Sequence, residues 1–321
     1  MNRSRELTRD EPVAGAMPQT DGPRWVIVNP VSGTADHAER VRELAGMRGY
    51  RVEETDHAGH AVELAKDAAA NGATLVAVAG GDGTLNEVVR GLDSEGALDR
   101  TTLVPVPVGT ENLVATNLGI ESIEDAFDVV ETGARRRIDL GVADGEPFVM
   151  SCIAGLIADA SIATSDELKE RFGSLAFVVA GVQEMASFDG LHVDLTAISD
   201  GEERSWSGEA ICVLVGNVRR FAREGGQADV EDGELDVVVI EQMPTGDMVL
   251  EAIAQRLFGE ETDNVYHVRA SELEIRVADG ETIEFSLDGE PHADSDLEIH
   301  TRPFALRVCV GPDYDPSPLG S

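Results

Sequence analysis

The residues best placed to do chemistry lie in Gly80-Gly81-Asp82-Gly83-Thr84-Leu85-Asn86-Glu87. The apolar run 74–79 before them reads as a buried strand, and residues 88–92 continue as a helix. A strand, a glycine turn and a helix start present free backbone N–H groups to an anion, and glycine permits positive φ and close approach. A simple βα connection needs the glycines alone. Asp82, Thr84, Asn86 and Glu87 add oxygen and amide groups that suit phosphate and a hard cation such as Mg2+, or that orient the loop. Neither common phosphate loop is present. No lysine follows as G-x-x-x-x-G-K-[ST] requires, and after Gly81 and Gly83 the third glycine of G-x-G-x-x-G is missing.

Two more polar turns follow predicted strands. Residues 24–29 run into Asn29-Pro30-Val31-Ser32-Gly33-Thr34, and residues 103–107 run into Gly109-Thr110-Glu111-Asn112, with a helix from about Leu113. Between them the pattern predicts a helix near 35–47, a short strand near 50–54 closed by Thr55, and a helix near 58–71 with Ala61, Leu64, Ala65 and Ala68 at helical spacing. Such alternation predicts a doubly wound parallel sheet with right-handed crossovers. Its ligand belongs beyond the carboxyl ends of the strands, where all three polar turns fall.

After Arg135-Arg136-Arg137 short alternating segments dominate, at 138–142, 191–198, 210–216, 235–240, 273–277, 283–287 and 304–310. They predict a largely antiparallel β domain, interrupted by helical segments near 165–187 and 245–258. The expected organisation is a disordered tail over 1–21, an α/β nucleotide-binding domain over 22–137, a β domain over 138–312 and a tail over 313–321. An Asp-Gly pair recurs at Asp232-Gly233-Glu234 and Asp288-Gly289-Glu290, where a hairpin turn is the simplest reading.

Acidic residues outnumber basic ones 61 to 25, a net charge of −36, and only Lys66 and Lys169 are lysines. Duplex nucleic acid needs a basic footprint, so it is excluded as a general partner. Charge of this size often means disorder, but 42% hydrophobic residues in strong patterns argue for a fold. Molar salt shortens the screening length to roughly 3 Å, so the composition suits a halophilic cytosol. Cys152, Cys212 and Cys309 are isolated and lack C-x-x-C spacing, which predicts core thiols rather than disulfides or zinc. No apolar signal segment opens the chain, and no run of about 18 apolar residues can span a bilayer. His57 and His60 have metal-compatible spacing and are expected as surface or cleft-rim histidines.

Together these segments resemble the diacylglycerol-kinase-type lipid kinases, a family that includes sphingosine and ceramide kinases and has NAD kinases as distant relatives. The likeness extends through Ile138-Asp139-Leu140-Gly141, Phe172-Gly173-Ser174-Leu175-Ala176-Phe177, Asp232-Gly233-Glu234-Leu235-Asp236 and Leu287-Asp288-Gly289-Glu290. It implies an ATP site formed by Asn29, Ser32, Gly33, Thr55, Gly80, Gly81, Asp82, Gly83, Thr84, Glu87, Thr110 and Asn112. It implies catalytic carboxylates at Asp288 and Glu290, one of them the general base, with Asp82 in the phosphate turn and Asp139 facing the same cleft. It also implies a β-sandwich second domain and a structural Mg2+ near Asp229, Asp232 and Glu234. The chain departs from the family pattern in two places. Leu113-Val114-Ala115-Thr116 stands where Asp-Phe-Ala-Arg is usual, and Gly225-Gly226-Gln227 replaces a Pro-x-Ala.

The implied activity is Mg2+- and ATP-dependent phosphorylation of a hydroxyl on a diacylglycerol-like or isoprenoid glycerol lipid, in phospholipid biosynthesis. The alternatives are an NAD kinase-like enzyme with a soluble acceptor and a non-catalytic nucleotide- or lipid-binding protein. A lipid acceptor implies a cytoplasmic protein with peripheral membrane contact, for which Phe172 to Val179 is the candidate segment. A homodimer is left open. The charge excess predicts that the melting temperature falls when KCl is diluted from about 1 M to about 0.1 M, where the screening length grows to roughly 10 Å. Thermal melts at the two salt levels check this; an unchanged melting temperature contradicts it.

Overall fold

The computed structural model describes residues 22–33, 37–155, 191–220, 226–242, 265–277, 280 and 282–316. The expected tail over 1–21, both helical segments expected in the second half, and the Phe172 to Val179 segment lie outside the described residues.

Strand β1 (Arg24–Val28) leads to helix α1 (His37–Met47), β2 (Arg51–Glu54), α2 (His60–Ala70), β3 (Leu75–Gly80), α3 (Asp82–Ser94) and β4 (Thr102–Pro107). A short helix α4 (Leu113–Asn117) and helix α5 (Ile123–Thr132) complete this half. The strands pair in parallel in the order β2-β1-β3-β4. β3 is buried along its whole length, as expected of a sheet strand covered on both faces. α3 buries Leu85, Val88, Val89 and Leu92, one face at helical spacing. α2 packs on α3, and α1 packs on α5. Strand order reverses between β1 and β3, so right-handed crossovers put these two helix pairs on opposite faces.

The second half is antiparallel. It runs through β5 (Ala134–Ala143), β6 (Glu146–Phe148), β7 (Ser151–Gly155), β8 (Leu191–Ser199) and β9 (Glu202–Gly216). Two-residue strands β10 (Arg219–Arg220) and β11 (Gly226–Gln227) form a small ribbon. Then come β12 (Leu235–Glu241), β13 (Val265–Ala270), β14 (Glu272–Val277), β15 (Ile283–Leu287), β16 (Glu290–Asp294) and β17 (Asp296–Val310). β8 shows why the alternation was readable: Leu191, Val193, Leu195 and Ala197 point inward while His192 and Asp194 are exposed. β9 pairs with β8 along its exposed first part, then lies between β7 and β12 where it is buried.

β17 joins the two halves. Its first residues pair with β14, most of its length pairs with β5, and Arg307 and Val308 lie parallel to β4. Among the described residues a single 15-stranded sheet therefore runs through both halves. Two apolar cores flank this ribbon. Ile138, Leu140 and Leu306 belong to the first, and Ala143, Leu297 and Ile299 to the second. β5 thus crosses the expected domain boundary at residues 137/138 within one strand. Cys152, Cys212 and Cys309 are free and buried.

Candidate active site

The three polar turns meet at the carboxyl ends of β1, β3 and β4. The Asn29 amide donates from its backbone to Ala79 O (2.8 Å) and from Nδ2 to Thr84 Oγ1 (3.1 Å), tying the first turn to the second. The approach of the second and third turns requires glycine. A Cβ on Gly109 would lie 2.6 Å from Gly81 Cα, and one on Gly33, where φ is +54°, would lie 2.1 Å from Val108 O. Gly81 caps α3 without any side-chain hydrogen bond, the arrangement by which a helix start can receive an anion. Thr55 N donates to Val28 O (2.9 Å), which sets the β2 end beside this crevice.

The acidic groups of the turns hold backbone. Asp82 Oδ2 and Oδ1 accept from Leu113 N (3.0 Å) and Val114 N (3.1 Å), capping α4. Glu87 accepts from Gly59 N (3.1 Å) and Ala61 N (3.2 Å) at the start of α2. Asn112, at φ +53°, closes its own turn: Oδ1 accepts from Gly109 N and Nδ2 donates to Gly109 O, both 2.8 Å. Of the two candidate roles for Asp82 and Glu87, the geometry supports loop orientation.

Asp288 sits at φ +50° between β15 and β16. The hairpin and catalytic readings of its Asp-Gly pair therefore coincide. Its Oδ1 accepts from Met150 N (2.8 Å) and Ser151 N (2.7 Å), and its Oδ2 from Val149 N (2.6 Å). A carboxylate offers about four lone-pair positions, so one on Oδ2 remains beyond these bonds. Burial pushes Asp288 up to about 6; the three N–H donors oppose that shift, and the nearby Asp82 charge adds to it. Glu290 is half-exposed and ion-paired to Arg90 of α3 (2.9 Å), which also meets Glu146 (3.3 Å). A cleft of about 240 Å³ opens there, lined by Asn86, Arg90, Glu146, Leu287, Glu290 and His292. Asn86 is buried, and its Oδ1 has no partner among the described residues.

Asp139 was expected to face this cleft and does not. It is fully enclosed, with Oδ1 accepting from Phe304 N (2.8 Å) and Oδ2 from Gly233 N (2.7 Å). Burial pushes it up to about 7 against those two donors. The expected metal turn is likewise closed on itself. Asp229 accepts from Glu231 N (3.0 Å) and Asp232 from Glu234 N (2.9 Å). The Arg269 guanidinium lies between the Asp232 and Glu234 carboxylates, 2.8 Å from Glu234, and Ser199 donates to Glu234. A cation thus already stands among these acids, and the residues present do not fit a metal.

Sequence reasoning missed Asn217, whose Nδ2 donates to Asp139 O (3.1 Å) and Val149 O (2.8 Å), linking the two buried aspartates. It also missed Arg90, Arg269 and the 149–151 N–H cradle. Backbone donors carry no residue-type signature, and the two arginines act across long separations in sequence.

A parallel sheet with a phosphate-type crevice at its switch point, joined to a β-sandwich that carries a buried carboxylate, defines a nucleotide-dependent transferase fold. Residues 23–143 match the diacylglycerol kinase catalytic domain, and residues 151–310 match the YegS C-terminal NAD kinase beta sandwich-like domain. A diacylglycerol kinase of Bacillus subtilis (strain 168) is 30% identical over 276 residues, 83% of this chain and 88% of that one. The lipid kinase YegS of Escherichia coli (strain K12) is 31% identical over 263 residues, 79% and 84% of the two chains. The crystal structure of a putative diacylglycerol kinase from Bacillus anthracis str. Sterne shares the fold. Its TM-score is 0.72 at 24% identity, with 92% of this chain and 97% of that chain covered. This chain belongs to the diacylglycerol kinase catalytic-domain family.

If Arg269 is the cation of the 229–234 turn, millimolar Mg2+ at constant ionic strength leaves the melting temperature unchanged. Arg269→Met strands the largely buried Asp232 carboxylate, at a cost of about 1–3 kcal/mol, and lowers the melting temperature by a few degrees. Calorimetric melts of both proteins with and without Mg2+ check this. Stabilisation of the wild type by Mg2+ contradicts it.

Proposed function

We propose that the protein is an ATP-dependent lipid kinase that phosphorylates a hydroxyl of a glycerol-type lipid. The observation carrying this reading is the Asp288 carboxylate, held by three backbone N–H groups with one lone pair to spare, beside the phosphate-type crevice. Phosphoryl transfer depends mainly on positioning and charge stabilisation. The N–H groups at the start of α3, together with Ser32 and Thr110, cradle the donor phosphates. Asp82, Glu87 and Asn112 fix the turns that carry those groups. The acceptor head enters the Asn86–Arg90–Glu290 cleft, where Asn86 Oδ1 takes a hydroxyl hydrogen bond. Asp288 accepts the proton of the attacking hydroxyl. Glu290, paired with Arg90, positions the acceptor.

Mg2+ is part of this reading as a companion of the nucleotide, where it neutralises phosphate charge. Asp82 and Glu87 each hold two backbone N–H groups, and in this reading the ion is carried mainly by phosphate and water oxygens, as Mg2+ usually is with a nucleotide. No helix among the described residues is long and apolar enough to cross a membrane. A bilayer-resident acceptor then requires peripheral contact, and the acidic surface favours high salt for that encounter. Family membership favours a lipid kinase over a soluble acceptor or a non-catalytic scaffold.

The test is incubation with labelled ATP and total lipid extract in molar KCl. A labelled lipid is expected. A labelled water-soluble product, or nucleotide binding without turnover, overturns the reading. A base must be ionised to act, so kcat rises with pH through about 6, the value to which burial raises Asp288. A rate that falls over that range excludes Asp288 as the base.

A further inference from the structure

The turn between β2 and α2 carries a group of side chains that the kinase reading leaves unused. Asp56, His57 and His60 bring one carboxylate oxygen and two imidazole nitrogens within 4.8 Å of one another. The two rings are stacked, with centroids 4.7 Å apart and planes 9° from parallel. Both Nδ1 atoms converge on the same oxygen, Asp56 Oδ1: His57 is hydrogen-bonded to it, and His60 Nδ1 lies 2.9 Å away. The Asp56 amide N–H also points at His60 Nδ1, at 3.2 Å. The amide N–H and the carboxylate oxygen thus compete for one ring nitrogen, and a proton or a metal ion between that nitrogen and the carboxylate satisfies both acceptors.

We propose that Asp56, His57 and His60 form a binding site for a borderline divalent transition-metal ion of the Zn2+ class. Two imidazoles and one carboxylate suit such an ion, whereas Mg2+ prefers oxygen ligands alone. Bonds of about 2.0–2.1 Å in a tetrahedral arrangement separate the ligand atoms by about 3.3 Å. Rotation of the exposed side chains brings the three groups from within 4.8 Å of one another to that spacing. Three protein ligands leave one position for water. The long amide contact to His60 and the His57–Asp56 hydrogen bond give way when the metal binds, and each ring keeps its proton on Nε2.

The placement gives the site a role. Thr55, immediately before it, is bonded to the end of β1, and Gly59 and Ala61, on either side of His60, donate to Glu87 of α3. The ion therefore clamps the turn that borders the nucleotide crevice. It takes no part in phosphoryl transfer.

The experiment is titration of the full-length, metal-stripped protein with Zn2+ by calorimetry, and with Co2+ followed by its visible absorption. One equivalent with micromolar affinity, nitrogen-ligand Co2+ bands and a raised melting temperature are expected. His57→Ala or His60→Ala weakens binding by about tenfold or more, and the double variant removes the one-equivalent step. All of these proteins keep their far-ultraviolet circular dichroism. A double variant that binds as the wild type does, or a wild type that shows no saturable binding, overturns the proposal.

Discussion

The antiparallel pairing of β5 with β17 is the constraint on which the rest of the molecule depends. β17 leaves the β-sandwich, kinks near Pro303-Phe304 and finishes beside β4 of the parallel sheet. At the kink the register shifts between Arg302 and Leu306, and Phe304 adopts φ +54°. The freed Phe304 N–H would be costly if left unpaired, and the buried Asp139 carboxylate takes it. The other Asp139 oxygen holds Gly233, which places the 229–234 turn against the same joint. Through Asn217 the joint reaches Val149, and through Val149 it reaches Asp288. The position of Asp288 opposite the glycine turn is thus inherited from a strand pairing remote from it in sequence.

A second theme is how the acidic residues are used. In a chain of net charge −36, most carboxylates at the crevice are used to hold backbone N–H groups. Asp82 caps α4, Glu87 caps α2 and Asp139 secures the kink. Arg269 neutralises the Asp232–Glu234 pair. This leaves Asp288 as the crevice carboxylate with both a buried environment and an open acceptor position. The donor groups for phosphate are main-chain, which explains why neither a Walker lysine nor a third glycine is needed.

Much of this was legible in the sequence. The parallel half followed from strand–helix alternation, and α1, α2 and α3 lie near their expected positions because their apolar faces repeat at helical spacing. The three turns were legible because glycine and polar side chains cluster directly after apolar runs. Less legible was the second half. β7, β13 and β16 are short, and β9 and β17 each begin well before the predicted segments because their early residues are largely exposed and polar. At the site, residue type indicated which acids matter but not what they face. Asp139 follows Ile138 and Asp288 follows Leu287, and residue type does not separate them. Only the fold shows that one is enclosed at a kink while the other sits beside the glycine turn.

The most direct measurement is single-turnover transfer by Asp288→Asn at saturating ATP and lipid, below its melting temperature and alongside its ATP affinity. The account predicts a loss of about 10²–10⁴-fold in the transfer step with ATP affinity unchanged, the range attached to a positioned base. Transfer within about tenfold of wild type would contradict it, since Asp288 would then be only another carboxylate that holds backbone in place.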